Sequence, residues 1–187
     1  MNPWHDVSAE RVLPNDFLAL IEISKGSKNK YELDKETGRL ILDRVLSTST
    51  IYPHNYGLIP RTYAQDKDPL DVLVICSEPI LPMSFVRCKP IGVLIMTDNG
   101  YKDEKIIAVA YSDPFYNTID DIRDLPKHIF DEIKHFFTVY KTLEGKVTAV
   151  DEIFGKAEAL DIIVRYRKIY EEVIAPTVHQ KRKERGY

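Results

Sequence analysis

Through the first two-thirds of the chain, apolar residues fall in short runs of strand length; after that they recur at a helical period. Residues 17–24 are apolar except at Glu22, which reads as a largely buried strand. Segments 30–34 and 39–46 flank a Lys35-Glu36-Thr37-Gly38 turn and predict a hairpin. Further strands are expected at 71–76, at 85–97 with an interruption at Pro90, and at 105–111. Leu125, Ile129, Ile133, Phe136, Phe137, Tyr140 and Leu143 then keep helical spacing, with Pro126 suited to the first turn. Ala159, Leu160, Ile163, Val164 and Tyr170 repeat that spacing in a second helix. Short strands followed by two helices predict a small β-barrel with the helices packed outside it.

Composition narrows the class without naming a function. A chain of 187 residues with 44% hydrophobic and 29% charged content suits one soluble globular domain, expected over 1–175. The basic stretch 176–187 is expected to be a disordered tail. A net charge of -3 gives no electrostatic footprint for nucleic acid. The first six residues lack a signal-peptide pattern, and the longest apolar runs are too short to span a bilayer. Cys76 and Cys88 both fall in strand-like segments and read as small buried hydrophobes in a reducing compartment, with the cytoplasm as the default.

Candidate chemistry centres on Asp66-Lys67-Asp68-Pro69-Leu70-Asp71, which runs straight into the apolar strand 71–76. Pro69 fixes its own φ and pushes Asp68 into an extended conformation. Clustered carboxylates repel one another unless cations lie among them, and hard oxygen donors suit Mg²⁺, Ca²⁺ or Mn²⁺. A solvated polar turn is the alternative. The spacing does not fit an EF-hand loop, and no Gly-rich phosphate loop of the Walker kind occurs. Glu22 sits in an apolar strand where an unpaired carboxylate is costly unless the strand lies at an edge. Lys30 and Glu32 share one strand face within reach of Arg44, which also fits an exposed cross-strand ion pair. Tyr52 and Tyr56 bracket a compact loop ahead of the acid cluster, and phenol hydroxyls can serve phosphate oxygens. A second acid loop, 98–105, carries Asp98, Asp103 and Lys105 around an Asn99-Gly100 hairpin turn. Tyr140-Lys141 closes the first helix. His128 and His135 read as ordinary residues on that helix's polar face.

Together these residues resemble the soluble family I inorganic pyrophosphatases, from about Trp4 to Tyr170. The most specific match is D-x-D-P-x-D at 66–71, following the Tyr-Pro-x-Asn-Tyr-Gly loop at 52–57. Lys30-Tyr31-Glu32, Asp43-Arg44, the Met96-Thr97-Asp98 loop with Asp103 and Lys105, and Tyr140-Lys141 follow the family's order. The resemblance implies an α+β fold, mainly β: a five-stranded OB-like barrel with helices outside. It also implies hydrolysis of pyrophosphate with several Mg²⁺ ions, for which Mn²⁺ or other divalent ions could substitute. By motif position Asp66, Asp71, Asp98 and Asp103 look like metal ligands, and Asp68 like the group that deprotonates the attacking water. Glu22 and Glu32 would be outer-sphere partners. Lys30, Arg44, Tyr56, Lys105, Tyr140 and Lys141 look like phosphate holders, with Tyr52 behind them. A homo-oligomer, and no nucleic-acid or membrane partner, is the corresponding expectation.

Two residues depart from the family pattern. Lys67 stands where a small or acidic residue is usual, and Lys102 precedes Asp103 where acids are common. Both bring positive charge to the proposed metal loops, so metal affinity is the property they would change. A binding module for single-stranded nucleic acid would need a cationic groove, which the acid cluster opposes. A catalytically inactive relative is the other rival reading.

Overall fold

The computed structural model describes residues 2–98 and 100–184. A short strand β1 (Val12–Leu13) leads into β2 (Asp16–Ile23), and β3 (Asn29–Leu33) and β4 (Leu40–Val45) form a separate two-stranded hairpin. There follow β5 (Asn55–Ile59), β6 (Leu70–Ile75), β7 (Phe85–Asp98) and β8 (Tyr101–Ala110). Helix α1 (Lys127–Val139), strand β9 (Thr148–Gly155), helix α2 (Lys156–Ile169) and helix α3 (Ala175–Glu184) complete the chain. Five strands close into a ring: β2 pairs with β5, β5 with β6, β6 with β8, β8 with β7, and β7 back with β2. All of these pairings are antiparallel except β6–β8. The expected five-stranded barrel is therefore present, with the hairpin standing outside the ring.

The ring buries both faces of its strands. Leu70, Val72 and Val74 of β6 pack with Ile106 and Ala108 of β8 against Ala159, Ile162, Ile163 and Tyr166 of α2. Leu73 and Ile75 point the other way, with Ile107 and Val109, towards Ile133, Phe136 and Phe137 of α1. A strand covered on both faces reads as a continuous apolar run, which is why β6 shows no alternation. The exception on β6 is Asp71, half-buried on the α1 side.

Three local features differ from the sequence pattern. Asn55-Tyr56-Gly57, a loop by composition, is strand β5. A Cβ on Gly57 would lie 1.8 Å from the Leu20 carbonyl oxygen, so only glycine lets β2 come this close. Strand β7 does not stop at Pro90; a register shift between Pro90 and Gly92 carries it through as a single 14-residue strand. Helix α3 runs to Glu184, across much of the segment expected to lack structure. Gln, Lys, Arg and Glu, which recur in this segment, have good intrinsic helix propensity. The remainder of that tail, 185–187, lies outside the described residues, as does Asn99 of the expected Asn-Gly turn. Both cysteines are buried and free, as expected.

Candidate active site

Asp71 begins the site. On the parallel β6–β8 pair it lies in register with Lys105, whose Nζ donates to Asp71 Oδ2 at 2.6 Å and reaches both Asp103 oxygens at 2.9 and 3.0 Å. The same ammonium donates to the Tyr56 hydroxyl at 3.0 Å, and that hydroxyl donates to Asp71. Asp103 and Lys105 are two residues apart on β8 and share a face, as strand geometry requires. Most of the supposed acid loop 98–105 is strand: Asp98 ends β7 opposite Tyr101, and Asp103 lies on β8 opposite Met96. Lys141, just past α1, donates to Asp98 Oδ2 at 2.5 Å.

Glu22 reaches the site through a β-bulge. Ile21 lies opposite Gly57 and Ile23 opposite Tyr56, so Glu22 is the extra residue on β2. The bulge turns a carboxylate out of an apolar strand and into the cleft, where the Leu33 N–H donates to Oε1 at 2.7 Å. Burial first, and Asp71 second, push the Glu22 carboxyl up to about 8. The hairpin carries a second bulge. Lys30 pairs with Arg44 and Tyr31 with Leu42, leaving Asp43 as the extra residue, 3.0 Å from Lys30 Nζ.

The acid loop is braced from beneath. Thr62 Oγ1 accepts from Leu70 N at 2.8 Å and donates to the Ile59 carbonyl at 2.6 Å. Asp66 Oδ1 accepts from Asp68 N at 3.0 Å, and the Asp68 carbonyl accepts from Ala64 N at 2.8 Å. Lys67, between the two acids, has a φ of 70°, the left-handed region in which a small residue is the usual solution.

These segments enclose a cleft of ≈ 290 Å³. Its walls hold all seven acids expected from the sequence, Glu22, Glu32, Asp66, Asp68, Asp71, Asp98 and Asp103, together with Lys30, Tyr56, Lys105, Tyr140 and Lys141. Arg44 is not among the wall residues: its Nε donates to Glu144 at 2.9 Å and its Nη1 to Asp43 at 2.5 Å. Tyr52 also stands back, fully buried, with its ring centroid 5.5 Å from that of Tyr56. Lys35 takes a place in the wall that the sequence reading did not assign, with its ammonium in ionic contact with Asp68. A signal for it existed, since it begins the turn of the hairpin that carries Lys30 and Glu32. Lys102 points away from Asp103, as alternation dictates, and pairs at 2.9 Å with Glu104, which also accepts from Arg165 and Tyr166.

The electrostatics follow from crowding. Burial raises Asp103, and burial followed by the charge of Asp71 raises Asp66. Burial alone would pull the Lys105 ammonium down, but Asp103 and Asp71 outweigh it and hold the group well above the usual lysine value. Tyr56 is held far above the usual phenol value by burial and then by Asp71, so it acts as a neutral donor. Among the described residues, no three acidic, histidine or cysteine side chains already converge on one point as metal ligands, because lysines stand between the acids. Asp98 Oδ1 is nevertheless buried with no hydrogen-bond partner. An all-oxygen donor set containing one unsatisfied buried carboxylate oxygen fits a hard divalent cation.

The comparison with known proteins settles the ancestry of this arrangement. The family model for inorganic pyrophosphatase matches residues 19–171. The chain belongs to the inorganic pyrophosphatase family. Soluble inorganic pyrophosphatase 2 of Chlamydomonas reinhardtii is 48% identical over 175 residues, covering 94% of this chain and 91% of that protein. Soluble inorganic pyrophosphatase 1 of Arabidopsis thaliana is 46% identical over 179 residues, covering 96% and 84%. Among solved structures, the inorganic pyrophosphatase of Thermus thermophilus superposes with a TM-score of 0.87 at 37% identity, covering 91% of this chain and 99% of that one. The Helicobacter pylori enzyme gives 0.83 at 42%, covering 86% and 96%. Family membership accounts for the OB-like ring and implies a requirement for a divalent metal. No described helix is long and apolar enough to cross a membrane.

Proposed function

We infer that this pyrophosphatase-family chain hydrolyses inorganic pyrophosphate to two phosphates in the acidic cleft, using several Mg²⁺ ions, with Mn²⁺ or another divalent ion able to substitute. The observation that carries this reading is the pairing of seven carboxylates with four lysines on the walls of one ≈ 290 Å³ cleft. No apolar ligand would need such walls. A multiply charged anion would be repelled by their formal excess of negative charge unless cations entered with it.

Asp66, Asp71, Asp98 and Asp103 would hold the metal. Glu22 and Glu32 would hold the surrounding waters, Glu22 through a carboxyl that the Leu33 N–H already fixes. Bound there, Mg²⁺ would reverse the sign of the cleft and bring the ionisation of a coordinated water close to neutral pH. Asp68 takes the proton from the attacking water. Lys30, Lys105, Lys141 and the neutral hydroxyls of Tyr56 and Tyr140 hold the phosphoryl oxygens and stabilise charge in an in-line displacement. Arg44 stands behind the cleft wall, tied to Glu144 and Asp43, and would join them by turning its unpartnered Nη2 towards the substrate. Tyr52 keeps Tyr56 in place by ring contact. The whole catalytic apparatus falls within residues 1–175, and the chain would work as a homo-oligomer in the cytoplasm without nucleic-acid or membrane partners.

Phosphate release from pyrophosphate and from ATP, compared at equal Mg²⁺, tests the substrate. Strong preference for pyrophosphate is expected; equal turnover of ATP would overturn the assignment.

A further inference from the structure

Four lysines line the cleft, and each is in ionic contact with an acid there: Lys105 with Asp71 and Asp103, Lys141 with Asp98, Lys30 with Glu32, and Lys35 with Asp68. Of these only Lys35 has no role in the reading above. Its backbone is held firmly. Asn2 Nδ2 donates to the Lys35 carbonyl at 2.8 Å, and Asp34 fixes the turn by accepting from Glu36 N and Thr37 N. Its side chain is 48% exposed at the cleft rim, with the ammonium resting on Asp68. A long flexible stem on a fixed base lets the ammonium swing without moving the hairpin.

The neighbourhood of Asp68 decides where that ammonium goes. Asp68 is shared between Lys35 and the chemistry proposed for it, and cations arriving in the cleft compete for the same carboxylates. Once divalent charge fills the acid cluster, an ammonium left beside it is repelled unless it finds an anion. The anion within reach is the substrate, and an ammonium with three donors suits phosphate oxygens. We propose that Lys35 is a further substrate-binding residue: a mobile cation that rests on Asp68 and moves to a phosphate oxygen of pyrophosphate when the site is loaded. The proposal rests on the pyrophosphatase reading of the cleft.

The chain provides its own probe. Trp4 is its single tryptophan, and Lys35 Nζ lies 6.0 Å from the centre of the Trp4 ring. That ring is buried and fixed by its Nε1–H, which donates to the Thr62 carbonyl at 3.0 Å. Movement of the ammonium away from the ring should change the tryptophan emission. The test compares wild type, Lys35→Met and Lys35→Arg by Mg²⁺ titration of Trp4 fluorescence, followed by initial rates at saturating Mg²⁺. Mg²⁺ should shift the emission of wild type and leave that of Lys35→Met unchanged. In Lys35→Met, KM for pyrophosphate should rise about three- to tenfold with kcat within about twofold, the pattern of lost ground-state binding. Lys35→Arg should restore most of the KM. An unchanged KM in Lys35→Met, or a Mg²⁺-induced emission change equal to that of wild type, overturns the proposal. If wild type itself releases no phosphate, the reading of the cleft fails; the fluorescence comparison still decides whether Lys35 leaves Asp68.

Discussion

Replacing Glu22 by Gln isolates the cost of placing a carboxylate in the bulge of β2. The amide keeps the shape and can still accept the Leu33 N–H, which lies 2.7 Å from Oε1 in wild type, but it cannot ionise. Burial and Asp71 raise the Glu22 carboxyl from 4.5 to about 8 in the folded chain. Between those values the native state holds a proton that the unfolded chain has released. The native state therefore binds more protons, and wild-type stability must fall as pH rises through this window. At 1.36 kcal/mol per pH unit, ionisation held off over this range amounts to about 5 kcal/mol, reached only above pH 8. Other titrating groups are common to both proteins and cancel in the difference. Relative to wild type, Glu22→Gln should gain about 2–4 kcal/mol of stability between pH 5 and pH 8, allowing about a unit of latitude in the raised value. Urea unfolding followed by far-UV circular dichroism, in EDTA so that metal binding does not enter, measures both curves. Parallel curves across that range would refute the burial argument. A variant that loses stability relative to wild type as pH rises would reverse its sign.

Lys67 tests the backbone of the acid loop. Because its φ is 70° and its side chain is exposed, Lys67→Val should lower stability by about 1–2 kcal/mol while Lys67→Gly stays near neutral in thermal unfolding. Equal effects of the two would mean that the left-handed conformation is not what the site demands. Asp68→Asn should lower kcat by about 10²–10⁴, the usual contribution of a general base, with the unfolding midpoint little changed. Near-native turnover at saturating Mg²⁺ would assign the proton transfer elsewhere.

Much of the architecture could be read from the chain because most ring strands are apolar and bounded by turns. Strand β5 escaped because Asn55, Tyr56 and Gly57 have the composition of a loop; only the close approach of Leu20 explains why Gly belongs there. Strand β9 escaped because Asp151 and Glu152 split its apolar residues into two pairs, Ala149-Val150 and Ile153-Phe154, so neither a continuous run nor an alternation shows. Helix α1 ends at Val139, so Leu143, expected on its buried face, lies exposed in the following turn. In α2 the buried positions are Ala159, Ile162, Ile163 and Tyr166, while Val164 faces solvent.

Asp66, Asp68 and Asp71 stood out by their spacing as neighbours in sequence, whereas Glu22, Glu32, Asp98 and Asp103 were gathered with them only through the resemblance to the pyrophosphatases. Partners across the fold were not legible. Nothing local says that Arg44 is tied to Glu144, a hundred residues away, or that Lys35 leans on Asp68. Strand alternation sends Lys102 to Glu104 on the face away from Asp103, which the sequence alone did not fix. The bulge at Glu22 resolves another ambiguity: a carboxylate in an apolar strand marks neither an exposed edge nor an error of pattern, but a side chain re-aimed into the site.

The central claim is that this cleft hydrolyses pyrophosphate only when its carboxylates hold divalent cations. The most direct test is phosphate release from pyrophosphate as a function of Mg²⁺, measured side by side for wild type and Asp71→Asn. Wild type should show no turnover in excess EDTA and a saturable rise with Mg²⁺. Asp71→Asn should need a higher Mg²⁺ concentration and recover part of its rate there. Undiminished release in EDTA, or an Asp71→Asn rate that never responds to added Mg²⁺, would contradict the account.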